Sequence, residues 1–72
     1  MSENRMEQVA ALFGKKLGEE FKIEDLSTGI IYIASFNNYG MRMYVAGFPN
    51  SWKPSWEMVM RLIIGSVVII DD

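Results

Sequence analysis

The sequence predicts a two-layer α+β domain in the order αβββαβ, with two helices on one face of an antiparallel sheet of about four strands. Two segments have apolar residues at helical spacing, and four segments are rich in strand-favouring residues. Between two of those strands lies Asn37-Asn38-Tyr39-Gly40, whose residues favour a turn. At 72 residues the chain provides for one small core, so we expect residues 1–72 to form a single domain.

The first predicted helix lies near the N-terminus. Its apolar residues follow the i, i+3, i+4, i+7 pattern of one helical face: Met6, Val9, Ala10 and Phe13. Ser2 is its candidate N-cap and Gly14 its candidate C-cap. Because this stripe is short and narrow, we expect the helix to gain most of its stability by packing on the sheet.

The first predicted strand covers residues 19–24. Its alternation turns Phe21 and Ile23 inward and the charged residues outward. Residues 25–29 favour a turn by composition, and they lead into the second strand.

Residues 30–46 form the predicted hairpin around which we expect the sheet to be organised. Its inward face has three opposed apolar pairs: Phe36 with Met41, Ala34 with Met43, and Tyr32 with Val45. Its other face has three further pairs: Ile31 with Ala46, Ile33 with Tyr44, and Ser35 with Arg42. The second face is more apolar than a monomer requires.

Pro49 ends the third predicted strand, since proline cannot donate to a strand ladder. A second helix is predicted after it. Its apolar stripe again follows helical spacing: Trp56, Val59, Met60 and Ile63. Pro54 lies in the first turn, Gly65 ends the helix, and either Ser51 or Lys53 is the N-cap.

The last predicted strand is Val67–Ile70, a run of β-branched residues that is apolar on both faces. It is too short for another helix after Gly65, so we expect it to be buried within the sheet. Its partner is either the first or the third strand.

Composition excludes several kinds of chemistry. Half of the residues are hydrophobic and 22% are charged, which favours a compact soluble domain over a disordered chain. The chain has no Cys and no His, so it has no disulfide, no thiolate nucleophile and no Cys/His zinc site. A short secreted chain is ordinarily stabilised by disulfides, and we therefore expect a cytoplasmic protein.

Neither end of the chain has the pattern of a targeting or membrane segment. The N-terminus has acidic Glu3 and Glu7 and only a short apolar run, unlike a signal peptide. The most lipophilic window, residues 58–70, is interrupted by Arg61 and Gly65 and is shorter than the ~20 residues that span a bilayer. We expect no membrane span.

Three blocks carry a resemblance to a known group: Leu12-Phe13-Gly14, Lys16-Leu17-Gly18-Glu19-Glu20-Phe21-Lys22-Ile23, and Leu62-Ile63-Ile64-Gly65. With the Asn-rich turn between them, they resemble the short uncharacterised proteins encoded by phages and prophages of low-GC Gram-positive bacteria. The chain departs from that group at Ile64, where the group often has Thr, and in its Met- and Ile-rich hairpin. The resemblance implies a phage or prophage context, but no activity or cofactor.

The carboxylates and hydroxyls are weak candidates for catalysis. Glu19, Glu20, Glu24 and Asp25 are close in sequence, but alternation and turn placement predict a solvated face for them. The serines and Thr28 have no His to activate them. We therefore expect no enzymatic activity, with no catalytic, cofactor-binding or metal-binding residues.

Nucleic-acid binding is the alternative that charge placement favours. Residues 26–70 have a net charge of +2, although the whole chain is at −2. Basic and aromatic residues are interleaved there and could stack on a single strand. With three positive charges, phosphate binding would be weak at physiological salt.

Trp52 and the methionines have two interpretations each. A Trp just before a helix is usually a lid on the core, and a hot spot for a partner is the alternative. Met43 and Met60 are predicted to lie in the core, whereas Met58 could be core or surface.

The leading functional hypothesis is a non-enzymatic phage-type accessory protein that acts by protein binding or self-association. The predicted partner-binding residues lie on the second face of the hairpin and just after it: Ile31, Ile33, Arg42, Tyr44 and Trp52. A weak nucleic-acid binder is the alternative, and a small hydrolase ranks last. Exposed apolar residues on that face favour a two-fold homodimer, with Arg42 near the rim facing Glu20 or Glu24.

Overall fold

The structure is a computed structural model that describes residues 5–70, so the predicted N-cap Ser2 lies outside the described residues. It confirms the α+β class, with two helices and a five-stranded antiparallel sheet. The elements are α1 (Arg5–Leu12), β1 (Phe21–Asp25), β2 (Ile31–Asn37), β3 (Gly40–Val45), a 3-10 turn (Pro49–Ser51), β4 (Lys53–Pro54), α2 (Trp56–Ile64) and β5 (Val67–Ile70). The strand order is β4-β3-β2-β1-β5.

The hairpin of β2 and β3 has the predicted register. The Cα partners include Tyr32 with Val45 and Phe36 with Met41, and Asn37 with Gly40 closes the ladder. The Asn37 side chain accepts a hydrogen bond from the Tyr39 amide at 2.8 Å, which stabilises the turn.

Gly40 allows this turn to lie against the second helix. Its φ is +133°, and a Cβ added there would lie 3.0 Å from the Trp56 ring. A side chain at residue 40 would therefore displace either the indole or the hairpin.

The last strand takes the first of its two predicted partners, because β5 pairs antiparallel with β1. A further strand, β4, was not predicted: its two residues pair with β3, with Arg42 opposite Pro54 and Met43 opposite Lys53. The sheet thus has five strands where about four were expected.

Both helices pack on the face of the sheet that we call the core face. Met6 and Ala10 of α1 and three residues of α2 join the strand residues in one buried cluster. Its members are Met6, Ala10, Phe21, Ile23, Ala34, Phe36, Met41, Met43, Met58, Val59, Leu62 and Val67. The predicted core position of Met43 and the placement of both helices on this face are confirmed.

The predicted apolar stripe of α2 is wrong at three of its four positions. Val59 is buried, but Trp56, Met60 and Ile63 are each 58% exposed. Met58 and Leu62 are buried in their place. Seven of the nine residues of α2 are apolar, so both sides of the helix satisfy helical spacing.

The limits of α2 are set by its caps. The N-cap is Ser55, neither Ser51 nor Lys53, and its hydroxyl accepts a hydrogen bond from the Met58 amide at 3.2 Å. The predicted C-cap Gly65 is confirmed, with a left-handed φ of 87° and a hydrogen bond from its amide to the Arg61 carbonyl.

Candidate functional site: the outer face of the sheet

The sheet face opposite the two helices is here called the outer face. Successive strand residues point to opposite faces, so the strand register defines its members. They are Lys22 and Glu24 from β1, Ile31, Ile33 and Ser35 from β2, Arg42 and Tyr44 from β3, and Val68 and Ile70 from β5. Ala46 continues β3, since its amide donates to the Ile31 carbonyl at 3.0 Å.

Most of the outer face is apolar. Its large apolar side chains are all half-buried by their neighbours in the sheet: Ile31, Ile33, Tyr44, Val68 and Ile70. Four strands about 4.8 Å apart, each with about five residues of 3.3 Å, give the whole face, its charged residues included, a projected area of roughly 300 Å². The largest apolar patch of a typical monomer is about 300–600 Å² and is often functional, so the residue types of this face matter more than its area.

One cation and one anion lie in the middle of this apolar surface. Lys22 lies between Ile33 and Ile70 in the register, and Glu24 lies between Ile31 and Val68. Lys22 is exposed and Glu24 is half-buried. The outer face therefore combines apolar side chains with one cation and one anion.

At one edge of the outer face, Arg42 stacks on Trp52. The guanidinium carbon lies 4.6 Å from the centre of the indole. The 3-10 turn positions Trp52 here: the Ser51 hydroxyl accepts from the Val45 amide at 3.0 Å and donates to the Phe48 carbonyl at 2.7 Å. The chain thereby returns alongside β3.

Trp52 is 52% exposed, so the prediction that it is a lid on the core is wrong. It precedes the edge strand β4 and lies beside Arg42, away from the buried cluster. The alternative, that Trp52 is a hot spot for a partner, stays a prediction.

The structure brings the predicted partner-binding residues together. Ile31, Ile33, Arg42 and Tyr44 lie on the outer face, and Trp52 adjoins Arg42. Arg42 and Glu20 line one open depression of about 540 Å³ next to this edge, together with Ser35 and Asn37. Within the chain, the cation–π partner of Arg42 is Trp52.

The predicted solvated face of carboxylates is correct for Glu19 and Glu20, which are exposed, and wrong for Asp25. Asp25 is 4% exposed and forms an ion pair with Arg61 at 2.8 Å. The same oxygen, Oδ1, accepts hydrogen bonds from the Ser27 amide at 3.0 Å and the Ser27 hydroxyl at 2.7 Å. These donors stabilise the carboxylate, so the turn predicted by composition begins with a buried charge.

The Asp25 network is a structural link between β1 and the last turn of α2. The hydrogen bond from Arg61, followed by those from Ser27, lowers the pKa of Asp25 to about 2. The bond to Asp25 raises the pKa of Arg61, which also donates from Nε to the Ser66 hydroxyl at 3.2 Å. Arg61 therefore stabilises the fold through Asp25 and Ser66 and is not part of the outer face.

Sequence reasoning missed this link. The Asp25-x-Ser27 spacing is a signal for a side-chain-stabilised turn, but no local pattern indicates a partner 36 positions later. The pair forms in the rotation of α2 that turns Met58, Val59 and Leu62 inward.

Sequence reasoning also missed a second apolar surface, the solvent side of α2. Trp56, Met60 and Ile63 follow helical spacing there, and the adjacent Ile64 is 73% exposed. The signal was the apolar composition of the whole helix.

The candidate hydroxyls have local structural roles. Ser51 bridges the 3-10 turn, Ser55 caps α2, and the Thr28 hydroxyl accepts from the Ile30 amide at 3.2 Å. Within residues 5–70, His, Cys, Asp and Glu form no group of three or more that could hold a metal ion.

Neither described helix is long and apolar enough to cross a membrane. Comparison of the chain with models of known protein families, with curated proteins and with solved structures found no match. The geometry of the outer face is therefore the basis for assigning a function.

Proposed function

We propose that this protein is a non-enzymatic accessory protein of phage or prophage type that acts by binding protein through its outer face. The observation that supports binding is the apolar surface around Ile33 and Tyr44, on the side of the sheet that neither described helix covers. The phage context is supported by the resemblance of residues 12–23 and 62–65 alone.

The chemistry of the outer face fits a protein partner. Branched aliphatic side chains of β2 and β5 flank Lys22 and Glu24, and Arg42, Tyr44 and Trp52 form one edge. Arg, Tyr and Trp are the residue types most often found at hot spots of protein interfaces.

The direct test is photo-crosslinking from the outer face in the native host. A photoreactive residue at Ile33 should give a defined protein adduct, whereas the same residue at Met60, on the solvent side of α2, should not. Ile33→Glu should abolish the adduct formed from a probe at Tyr44 while leaving the circular dichroism spectrum unchanged. Failure of every outer-face probe to crosslink to protein would contradict the proposal.

A second candidate, a weak binder of single-stranded nucleic acid, is supported by one specific observation. The stacked Arg42 and Trp52, with Tyr44 and the exposed Lys53 nearby, combine cations with aromatic rings. Arg61 is engaged by Asp25, which leaves two of the three cations of residues 26–70 for phosphate.

A titration of fluorescent single-stranded DNA at two salt concentrations separates the two candidates. For a protein-binding face we expect no saturable binding at physiological salt. Tight, salt-sensitive binding that is lost in Arg42→Glu would favour the nucleic-acid function.

A further inference from the structure

A polar depression lies beside the apolar part of the outer face, at the end of the sheet where β2 turns into β3. Its volume is about 540 Å³, within the range of roughly 300–1,000 Å³ that small-molecule sites occupy. Arg42 of β3, Ser35 of β2 and Glu20, which directly precedes β1, line it. Ser35 pairs with Arg42, and Glu20 continues the register of β1 opposite Ser35. The depression therefore has a cation on one side, an anion on the other and a small hydroxyl between them.

The stacking of Arg42 on Trp52 leaves the cation able to bind an anion. The guanidinium carbon lies over the indole, 4.6 Å from the ring centre. Stacking uses the flat face of a guanidinium, whereas its N–H donors lie in the plane of the group. The stacked side chain can therefore still donate two parallel hydrogen bonds to a carboxylate. Because the stack restricts the side chain before a ligand arrives, less conformational entropy is lost on binding.

The anion on the opposite side of the depression is also available. Glu20 is exposed, and among residues 5–70 neither its carboxylate nor the Ser35 hydroxyl has a hydrogen-bond or ion-pair partner. Glu20 and Arg42 do not pair with each other, since β2 separates their strands and Arg42 lies against Trp52. The depression is thus neutral as a whole but has opposite charges at its two ends.

We propose that this depression binds a small zwitterion of about tripeptide length, with its carboxylate on Arg42 and its ammonium group on Glu20. Two strand spacings of about 4.8 Å separate the Cα atoms of Glu20 and Arg42 by about 10 Å. Three residues of extended peptide, at about 3.3–3.6 Å each, span a similar distance. The Ser35 hydroxyl lies between the two ends, where it can donate to or accept from a peptide group.

The two charges together determine which ligands fit. Glu20 repels a ligand that is only anionic, and Arg42 repels one that is only cationic, whereas a zwitterion interacts favourably with both. Both side chains are exposed to water, so each charge contact contributes modestly and we expect rapid, reversible binding. This site goes beyond the proposed protein binding and does not depend on it.

The test is an NMR titration of the isotope-labelled full chain with triglycine. Saturable shifts should be confined to amides that line the depression, among them Gly18, Ser35 and Asn37. Two matched probes each lack one charge: N-acetyl-triglycine has no ammonium group, and triglycine amide has no carboxylate. Each of these should bind at least about threefold more weakly than triglycine.

Two variants assign the two ends of the ligand. Glu20→Gln should bind triglycine and N-acetyl-triglycine equally, because the ammonium group has lost its partner. Arg42→Gln should likewise bind triglycine and its amide equally. A purely structural effect of either substitution would weaken all three probes alike. The matched control is Glu57→Gln, which removes one exposed carboxylate on α2 and should keep both preferences.

Three results would overturn the zwitterion site. The first is the absence of saturable shifts with triglycine, and the second is equal affinity of the wild-type chain for all three probes. The third is a set of shifts centred on Ile33 and Ile70 and not on the depression. None of these results bears on crosslinking from Ile33 to a protein, so the ligand site and the proposed function are tested separately.

Discussion

Alternate residues of the same strands form two faces of different kinds. On the core face, small Ala34 next to large Phe36 gives an uneven surface on which the helices pack, and both side chains are almost fully buried. On the outer face, Ile31 and Ile33 present a more even surface and stay half-buried. The side chains of the core face are buried because the helices cover them, whereas neither described helix covers the outer face.

The difference separates two uses of apolar area. Burial on the core face stabilises the monomer, because the helices remove those side chains from water. Apolar area on the outer face adds little to the stability of the monomer, because it stays in contact with water until another molecule covers it. Substitutions on the core face should therefore act on folding, and substitutions on the outer face on association.

The largest expected effect is at the centre of the core face. Phe36→Ala should lower the free energy of unfolding by about 3–5 kcal/mol, because it leaves a cavity next to Phe13 and Phe21. That loss is comparable to the whole stability of a chain of this length. Ser35→Ala, one residue away on the outer face, should change it by less than about 0.5 kcal/mol. Urea unfolding followed by tryptophan fluorescence measures both.

The next effect contrasts Asp25 with its neighbour Glu24. Asp25→Asn removes the charge that pairs with Arg61 and should lower the melting temperature clearly at pH 7. Glu24→Gln, on the outer face, should leave the melting temperature of the monomer nearly unchanged. Equal effects of the two substitutions would show that the Asp25 link does not stabilise the fold.

The lowered pKa of Asp25 predicts that acid destabilises the fold. Its pKa is about 2 in the folded chain and near the ordinary value of 3.8 in the unfolded chain. As the pH falls, the unfolded chain is therefore protonated at a higher pH than the folded chain. The stabilisation is complete above about pH 4 and is lost as the pH falls toward 2. In Asp25→Asn this part of the pH dependence should disappear, which thermal melts between pH 2 and pH 5 would detect.

A smaller effect is expected where the outer face meets its edge. Arg42→Gln removes the cation that stacks on Trp52 and should cost about 0.5–1 kcal/mol of unfolding free energy, the range for an exposed cation–π pair. Lys53→Gln is the matched control on the adjacent strand and should cost less. A shift in tryptophan emission in Arg42→Gln alone would place the contact at Trp52.

The smallest effect is expected on the solvent side of α2. Met60→Lys should change the unfolding free energy by less than about 0.5 kcal/mol and should leave association unchanged. Met58→Lys, two residues earlier, introduces a charge into the buried cluster and should unfold the chain. If Met60→Lys prevented association, the interface would be on α2 and not on the outer face.

Local pattern was enough to predict the hairpin, because turn residues and strict alternation together determine which side chains face each other. It was not enough for α2, because apolar residues surround the helix and the contact of Arg61 with Asp25 on its inward side has no local sequence signal. The partner of β5 was also beyond the sequence, since apolar residues on both faces fit either position in the sheet. For the site, the sequence predicted the membership of the outer face but not the stacking of Arg42 on Trp52.

The pairing of β5 with β1 has a consequence for the order of folding. The strands of the hairpin are adjacent in sequence, whereas Asp25 of β1 and its partner Val67 of β5 are 42 positions apart. Closing the longer loop costs more chain entropy, so we expect β5 to join the sheet after the hairpin has formed. Until β5 docks, β1 presents an unpaired strand edge, the feature of a sheet most prone to pair with other chains.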